Sequence, residues 1–174
     1  MTAIGISEFV TQVFKFYVGR LRPNFYEMCG FDKAILECTN GEDMEMEARM
    51  SFPSGHSSLS FCGMMALCLF FMGRVGLGRV ARPNTLKYKF GLMLSFLPLL
   101  FSFWCATSRL VDHWHHPSDI LAGSILGTVS AFIGYHLWYP HVFSVYAGVP
   151  LSVIHLNQEE NTMVDSNFIP LDSL

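Results

Sequence analysis

Between two strongly apolar segments, residues 90 to 107 and 120 to 139, the chain carries Ser108-Arg109-Leu110-Val111-Asp112-His113-Trp114-His115-His116-Pro117-Ser118-Asp119. Ionisable groups set against membrane-length apolar runs are costly, and by default they mark function. Pro117 suits the first turn of a helix that continues through Ile120, where its missing N–H costs nothing. His115 and Asp119, four residues apart at that helix start, can face each other, and a carboxylate can fix the tautomer and orientation of an imidazole. Arg109, just upstream, is a permanent cation suited to a phosphate or a carboxylate. The group reads as a reacting histidine with an orienting carboxylate and an anion clamp.

Two further clusters fit the same chemistry. Pro53-Ser54-Gly55-His56 leads into Ser57 to Gly73, a charge-free apolar run. A helix starting there points backbone N–H groups at an anion, and glycine at 55 allows close approach. Lys15, Arg20 and Arg22 precede Pro23. With Arg109, these make a site for a multiply charged oxyanion, and phosphate fits best. Two histidines then suit phosphoryl transfer, one attacking phosphorus and the other protonating the leaving oxygen. Positioning and charge neutralisation supply the rest. Each residue also has a plainer reading. Lys15, Arg20 and Arg22 read singly as interfacial cations with stems along the bilayer, and His56 as a helix cap. His113, His115, His116 and Asp119 form a possible zinc set, which Arg109 and the other cations oppose. Asp112 orients Arg109 or His115, or is merely solvated. His136, His141 and His155 have no charged partner in the sequence and receive no role.

The elements that must position these groups are membrane helices. Of 174 residues, 51% are hydrophobic and only 14% charged, against about 25% charged in soluble domains. A net charge of −3 argues against a nucleic-acid partner. The expected architecture is an all-α integral membrane bundle of about four spans, near residues 3–21, 54–73, 88–107 and 117–139. In the first, Glu8, Gln12 and Lys15 share a helical face, so that stripe is expected to face the bundle interior or a cavity. Residues 24–52 form a polar loop with seven acidic residues. Residues 74–89 carry Arg74, Arg79, Arg82, Lys87 and Lys89 and no acid, and short basic loops stay cytoplasmic. Parity then puts Arg22, His56 and the Arg109 to Asp119 cluster together on the non-cytoplasmic face. Gly123 and Gly127 either allow close helix packing or reflect glycine tolerance in membrane helices.

Cys62, Cys68 and Cys105 lie in apolar runs and read as packing residues. Cys29 and Cys38 pair if their loop meets an oxidising compartment. Residues 1–140 form the membrane domain and 141–174 a disordered cytoplasmic tail. A span beginning almost at Met1, with no basic leader before it, fits the C-terminal part of a longer protein.

Lys15-x6-Arg22-Pro23, Pro53-Ser54-Gly55-His56 and Ser108-Arg109-x5-His115-x3-Asp119 resemble the three signature motifs of the type 2 phosphatidic acid phosphatase superfamily, over about residues 5 to 140. Gly-Arg-Leu-Arg-Pro, Ser-Gly-His-Ser-Ser and His-His-x-Ser-Asp resemble its eukaryotic lipid phosphate phosphatase branch, which usually has six spans, the last four of which this chain supplies. The resemblance implies a phosphomonoesterase for lipid phosphates at the outer or luminal face, with no cofactor and no metal. By motif position His115 is the nucleophile forming a phosphohistidine, Asp119 its orienter and His56 the acid for the leaving alcohol. Lys15, Arg22 and Arg109 bind phosphate, assisted by Ser54, Gly55 and Ser108. The partners implied are the lipid phosphate and membrane lipids; a homo-oligomer stays open. The competing readings are a polyprenyl-diphosphate or sugar phosphatase, and a non-catalytic membrane subunit.

Overall fold

The computed structural model describes residues 1–76 and 86–167. Helix α1 spans Thr2–Val18. It stops three residues short of the expected end because Gly19 takes the left-handed conformation, at φ 57°, and its N–H bonds the Lys15 carbonyl at 3.2 Å. Glycine bears no Cβ penalty there.

The acidic loop is a small folded cap rather than open chain. Helix α2 (Phe25–Cys29) leads into a two-residue-per-strand hairpin, β1 (Phe31–Asp32) antiparallel to β2 (Glu37–Cys38), and then α3 (Glu42–Ala48). Cys29 and Cys38 form a disulfide across it. Phe25, Met28, Cys29 and Ala48 are buried together, with Trp114 packed against them. The cap is thereby tied to the His115 cluster.

Four longer helical stretches follow. Helix α4 spans Gly55–Val75, α5 Leu86–Ser95, α6 Leu97–Val111 and α7 Pro117–His136. Helices α5 and α6 are two pieces of one apolar stretch, because Pro98 has no N–H for the carbonyl four residues back. Among the described residues, three stretches are long and apolar enough to cross a bilayer: Gly55–Val75, Tyr88–Val111 and Pro117–His136. At 17 residues, α1 is roughly 25 Å long, the shortest of the four, and it packs on α4 and α7. The outer surface is apolar, with Phe9, Phe16, Trp104 and Leu121 each more than 60% exposed, as a lipid-facing bundle requires. The protein is an all-α integral membrane protein. Of the basic connection expected at 74–89, residues 77–85 lie outside the described residues.

The bundle is organised on α4 against α7. Gly123 and Gly127 are both buried in that contact. A Cβ at 123 would stand 2.5 Å from the Ser54 carbonyl oxygen, and one at 127 would overlap the Ser58 carbonyl oxygen. The glycines are therefore packing devices. Gly127→Val is expected to cost about 1–3 kcal/mol by overpacking, read as a lower Tm and loss of the monodisperse peak in detergent.

The polar stripe of α1 differs from expectation. Glu8 is exposed and accepts a hydrogen bond from Gln12 Nε2 at 2.6 Å. The face turned to α4 is made by Ser7 and Thr11, both 0% exposed, and of the expected stripe Lys15 continues it over Gly55. Thr11 donates to Ser58 Oγ at 2.9 Å and Ser7 to the Ser58 carbonyl at 3.4 Å. Short hydroxyls satisfy themselves on the hydroxyl and carbonyl of a facing residue, whereas a carboxylate in that contact would be a buried charge.

The tail differs too. Leu151–Asn167 is helical, as α8, where a disordered segment was expected from 141 onward. Val142 and Ala147 are buried, and the Leu151 N–H bonds the Trp138 carbonyl at 3.0 Å. At the start of that helix Leu151 and Ile154 are half-buried.

Candidate active site

The last turn of α1, the first turn of α4, the last turn of α6 and the first turn of α7 lie at one end of the bundle. Lys15 Nζ sits over Gly55, 3.6 Å from where its Cβ would be. Ser54 is fully buried as the cap of α4, and its Oγ accepts from Ser57 N at 3.4 Å. Its own N–H donates to the Asp119 carbonyl at 3.0 Å. That main-chain bond joins the Ser54-Gly55-His56 turn to the start of α7. His56 is exposed at the first turn of α4, in electrostatic reach of Arg109, His115, Lys15 and Arg22.

Arg22 is 5% exposed. Its Nη2 forms an ion pair with Glu47, its Nε donates to the Glu47 carbonyl at 3.1 Å, and its guanidinium lies 4.9 Å from the centre of the Trp114 ring. Burial pulls the guanidinium below its ordinary pKa, with Glu47 and Asp119 acting the other way. It remains charged at any working pH. Arg109 is held by Asp112, Nη2 to Oδ2 at 3.1 Å, and its Nε reaches Ser108 Oγ at 3.3 Å. Of the readings open for Asp112, the structure has it orienting Arg109. His113 is exposed in the turn after α6, with φ 56°.

His115 is 3% exposed. Its Nδ1 lies 2.8 Å from the Ser51 carbonyl oxygen. A carbonyl only accepts, so Nδ1 carries a proton, and in the neutral ring the lone pair is then on Nε2. Asp119 Oδ2 is 3.8 Å from Nδ1, beyond hydrogen-bond length. The two face each other as expected, at ion-pair distance and without a hydrogen bond of normal length. Instead Asp119, fully buried, accepts from Arg20 Nη1 at 2.7 Å, Ser51 Oγ at 2.5 Å and the His116 N–H at 3.0 Å. His116 thereby caps α7 rather than pointing a free imidazole at the site. Ser51 and Glu47 were missed in the sequence. A backbone carbonyl has no residue signature, and Glu47 was one acid among seven.

One end of the helical membrane bundle thus gathers the cations Lys15, Arg20, Arg22 and Arg109 with the imidazoles of His56 and His115. The PAP2 superfamily model matches residues 1–143, and the chain belongs to that superfamily. It is 33% identical over 176 residues to "Lipid phosphate phosphatase 1" of Arabidopsis thaliana, covering 95% of this chain and 51% of the relative. It is 34% identical over 139 residues to "Phospholipid phosphatase 1" of Rattus norvegicus, covering 73% of this chain and 46% of the relative. The chain thus spans about half the length of these curated relatives. No solved structure matches it.

Proposed function

We propose that the chain carries the catalytic end of a lipid phosphate phosphatase that hydrolyses phosphomonoesters such as phosphatidate through a phosphohistidine. The observation that carries this reading is the His115 ring, buried with its Nδ1 tied to a carbonyl, beside Lys15, Arg22, Arg109 and His56. His115 Nε2 attacks phosphorus as the P–O bond to the alcohol breaks, and His56 gives the leaving oxygen its proton. Water then attacks the phosphohistidine, passing its proton back to His56, and phosphate leaves. Lys15, Arg22 and Arg109 neutralise the phosphoryl oxygens, with the Ser54–Gly55 turn and Ser108 behind them.

A cavity of about 310 Å³ between α4, α6 and α7 is lined by Phe61, Phe103, Leu110, Pro117, Ile120 and Leu121, starting one residue past Arg109. An apolar groove beside a phosphate clamp supports a lipid rather than a sugar as the alcohol. The disulfide in the cap at this end supports a non-cytoplasmic site, since disulfides persist in oxidising compartments. The test is phosphate release in detergent micelles from phosphatidate, lysophosphatidate, diacylglycerol pyrophosphate, a polyprenyl diphosphate and a sugar phosphate. Release from the glycerolipids ahead of the others is expected. Preference for the sugar or polyprenyl substrate, or no release from any, would overturn the reading. The cations that hold phosphate would repel a divalent ion, so activity is expected to survive chelator. Abolition by chelator and restoration by zinc or magnesium would show metal chemistry instead.

A further inference from the structure

Asp119 faces the His115 ring at 3.8 Å, and the ring's hydrogen bond goes to Ser51 instead. Ser51 meets the site through all three of its polar groups. Its carbonyl takes the Nδ1–H of His115 at 2.8 Å, its hydroxyl donates to Asp119 Oδ2 at 2.5 Å, and its N–H donates to the Arg20 carbonyl at 3.0 Å. Arg20 closes the ring. Its Nη1 lies 2.7 Å from both Asp119 Oδ1 and Ser118 Oγ, 99 and 98 residues away in the chain. Ser51 and Asp119 are both fully buried, while the Arg20 side chain is 36% exposed. The guanidinium is thus spent on α7, with its carboxylate partner beneath it. Resting on the assignment of His115 as nucleophile, we propose that Arg20 and Ser51 are positioning residues: Ser51 seats the His115 ring on its main-chain carbonyl, and Arg20 locks Ser51 and Asp119 in place. Asp119 acts on the nucleophile through this frame. A residue of this kind serves attack on phosphorus whatever the leaving group, and it leaves phosphate binding alone.

The experiment compares wild type with Arg20→Gln, Arg20→Lys, Ser51→Ala, Asp119→Asn and the Arg20→Gln/Asp119→Asn double variant, on phosphatidate and on nitrophenyl phosphate. A ring misplaced by about 1 Å costs on the order of 100-fold. Arg20→Gln is expected to lose about that much kcat on both substrates, while KM and inhibition by inorganic phosphate stay within about twofold. Ser51→Ala should lose less, because its carbonyl remains. Arg20→Lys, which keeps a cation near Asp119, should recover most of the loss. The double variant should be no slower than the worse single one, since both break one frame. A raised KM or weakened phosphate inhibition in the Arg20 variants would show instead that Arg20 binds substrate, and additive losses would show that no frame exists. Seating is also read without turnover, from the Nδ1–H resonance of His115 in protein carrying nitrogen-labelled histidine. That proton is expected to exchange with water faster in Arg20→Gln than in wild type, and equal exchange would overturn the proposal. A wild type that releases no phosphate yet shows the exchange difference would sink the phosphatase reading and leave the seating standing.

Discussion

Replacing His115 by Asn should abolish phosphate release from alkyl and aryl phosphates alike, by on the order of 10⁴-fold or more, as loss of a covalent nucleophile does. Asn keeps a donor for the Ser51 carbonyl, so the substitution removes the attacking nitrogen while sparing the bond behind it. The measurement is turnover together with rapid acid-free quench after labelled substrate. Wild-type protein is expected to carry acid-labile label on histidine, and the variant none. Residual turnover that still passes through a labelled histidine would move the nucleophile to another ring.

Replacing His56 by Ala should divide substrates by leaving group. An alkoxide needs a proton as the P–O bond breaks, and general acid catalysis is worth ~10²–10⁴-fold. Nitrophenolate leaves readily without one. Phosphatidate hydrolysis should therefore fall by that factor, whereas nitrophenyl phosphate should keep most of its rate of phosphorylation. Equal losses in the phosphorylation burst on the two would mean that His56 binds phosphate or holds α4 in place. Asp119→Asn should fall between the two histidine variants on both substrates. It leaves the Arg20 guanidinium facing a neutral amide, and the frame around Ser51 loses its anchor.

Spacing and parity were enough to foresee which residues meet. Span lengths fix which helix ends share a side, so Lys15, Arg22, His56, Arg109 and His115 could be gathered without knowing any contact. What the pattern could not show was how they are held. His115 and Asp119 sit four apart, as a facing pair would, yet the ring turns to a carbonyl that belongs to Ser51, 64 residues away. Main-chain acceptors carry no letter in a sequence. In the sequence Arg20 is one cation among several, because its partner lies across the bundle. In α1 the eye follows Glu8 and Gln12, since charge dominates any polar stripe, while Ser7 and Thr11 make the contact. The ends of α1 and the break at Pro98 follow from single residues, Gly19 and a proline, whose local effect is strong. The helix at 151–167 escaped notice because acidic composition outweighed a short apolar start.

The site lies at the helix ends and not in the middle of the bundle, so a bilayer around the apolar helices would meet water beside it. In the reaction proposed, this placement sorts the two products as they form. Phosphate, released from Lys15, Arg22 and Arg109, faces the aqueous side and diffuses away in three dimensions. The dephosphorylated lipid has lost the charge that kept its head at the surface, and its tails already lie beside Phe61, Phe103 and Leu121. It leaves sideways, into a two-dimensional phase where phosphate cannot follow. Recombination would require partners from two different solvents to meet again at one histidine, so hydrolysis is made one-way by where the products go as well as by their chemistry.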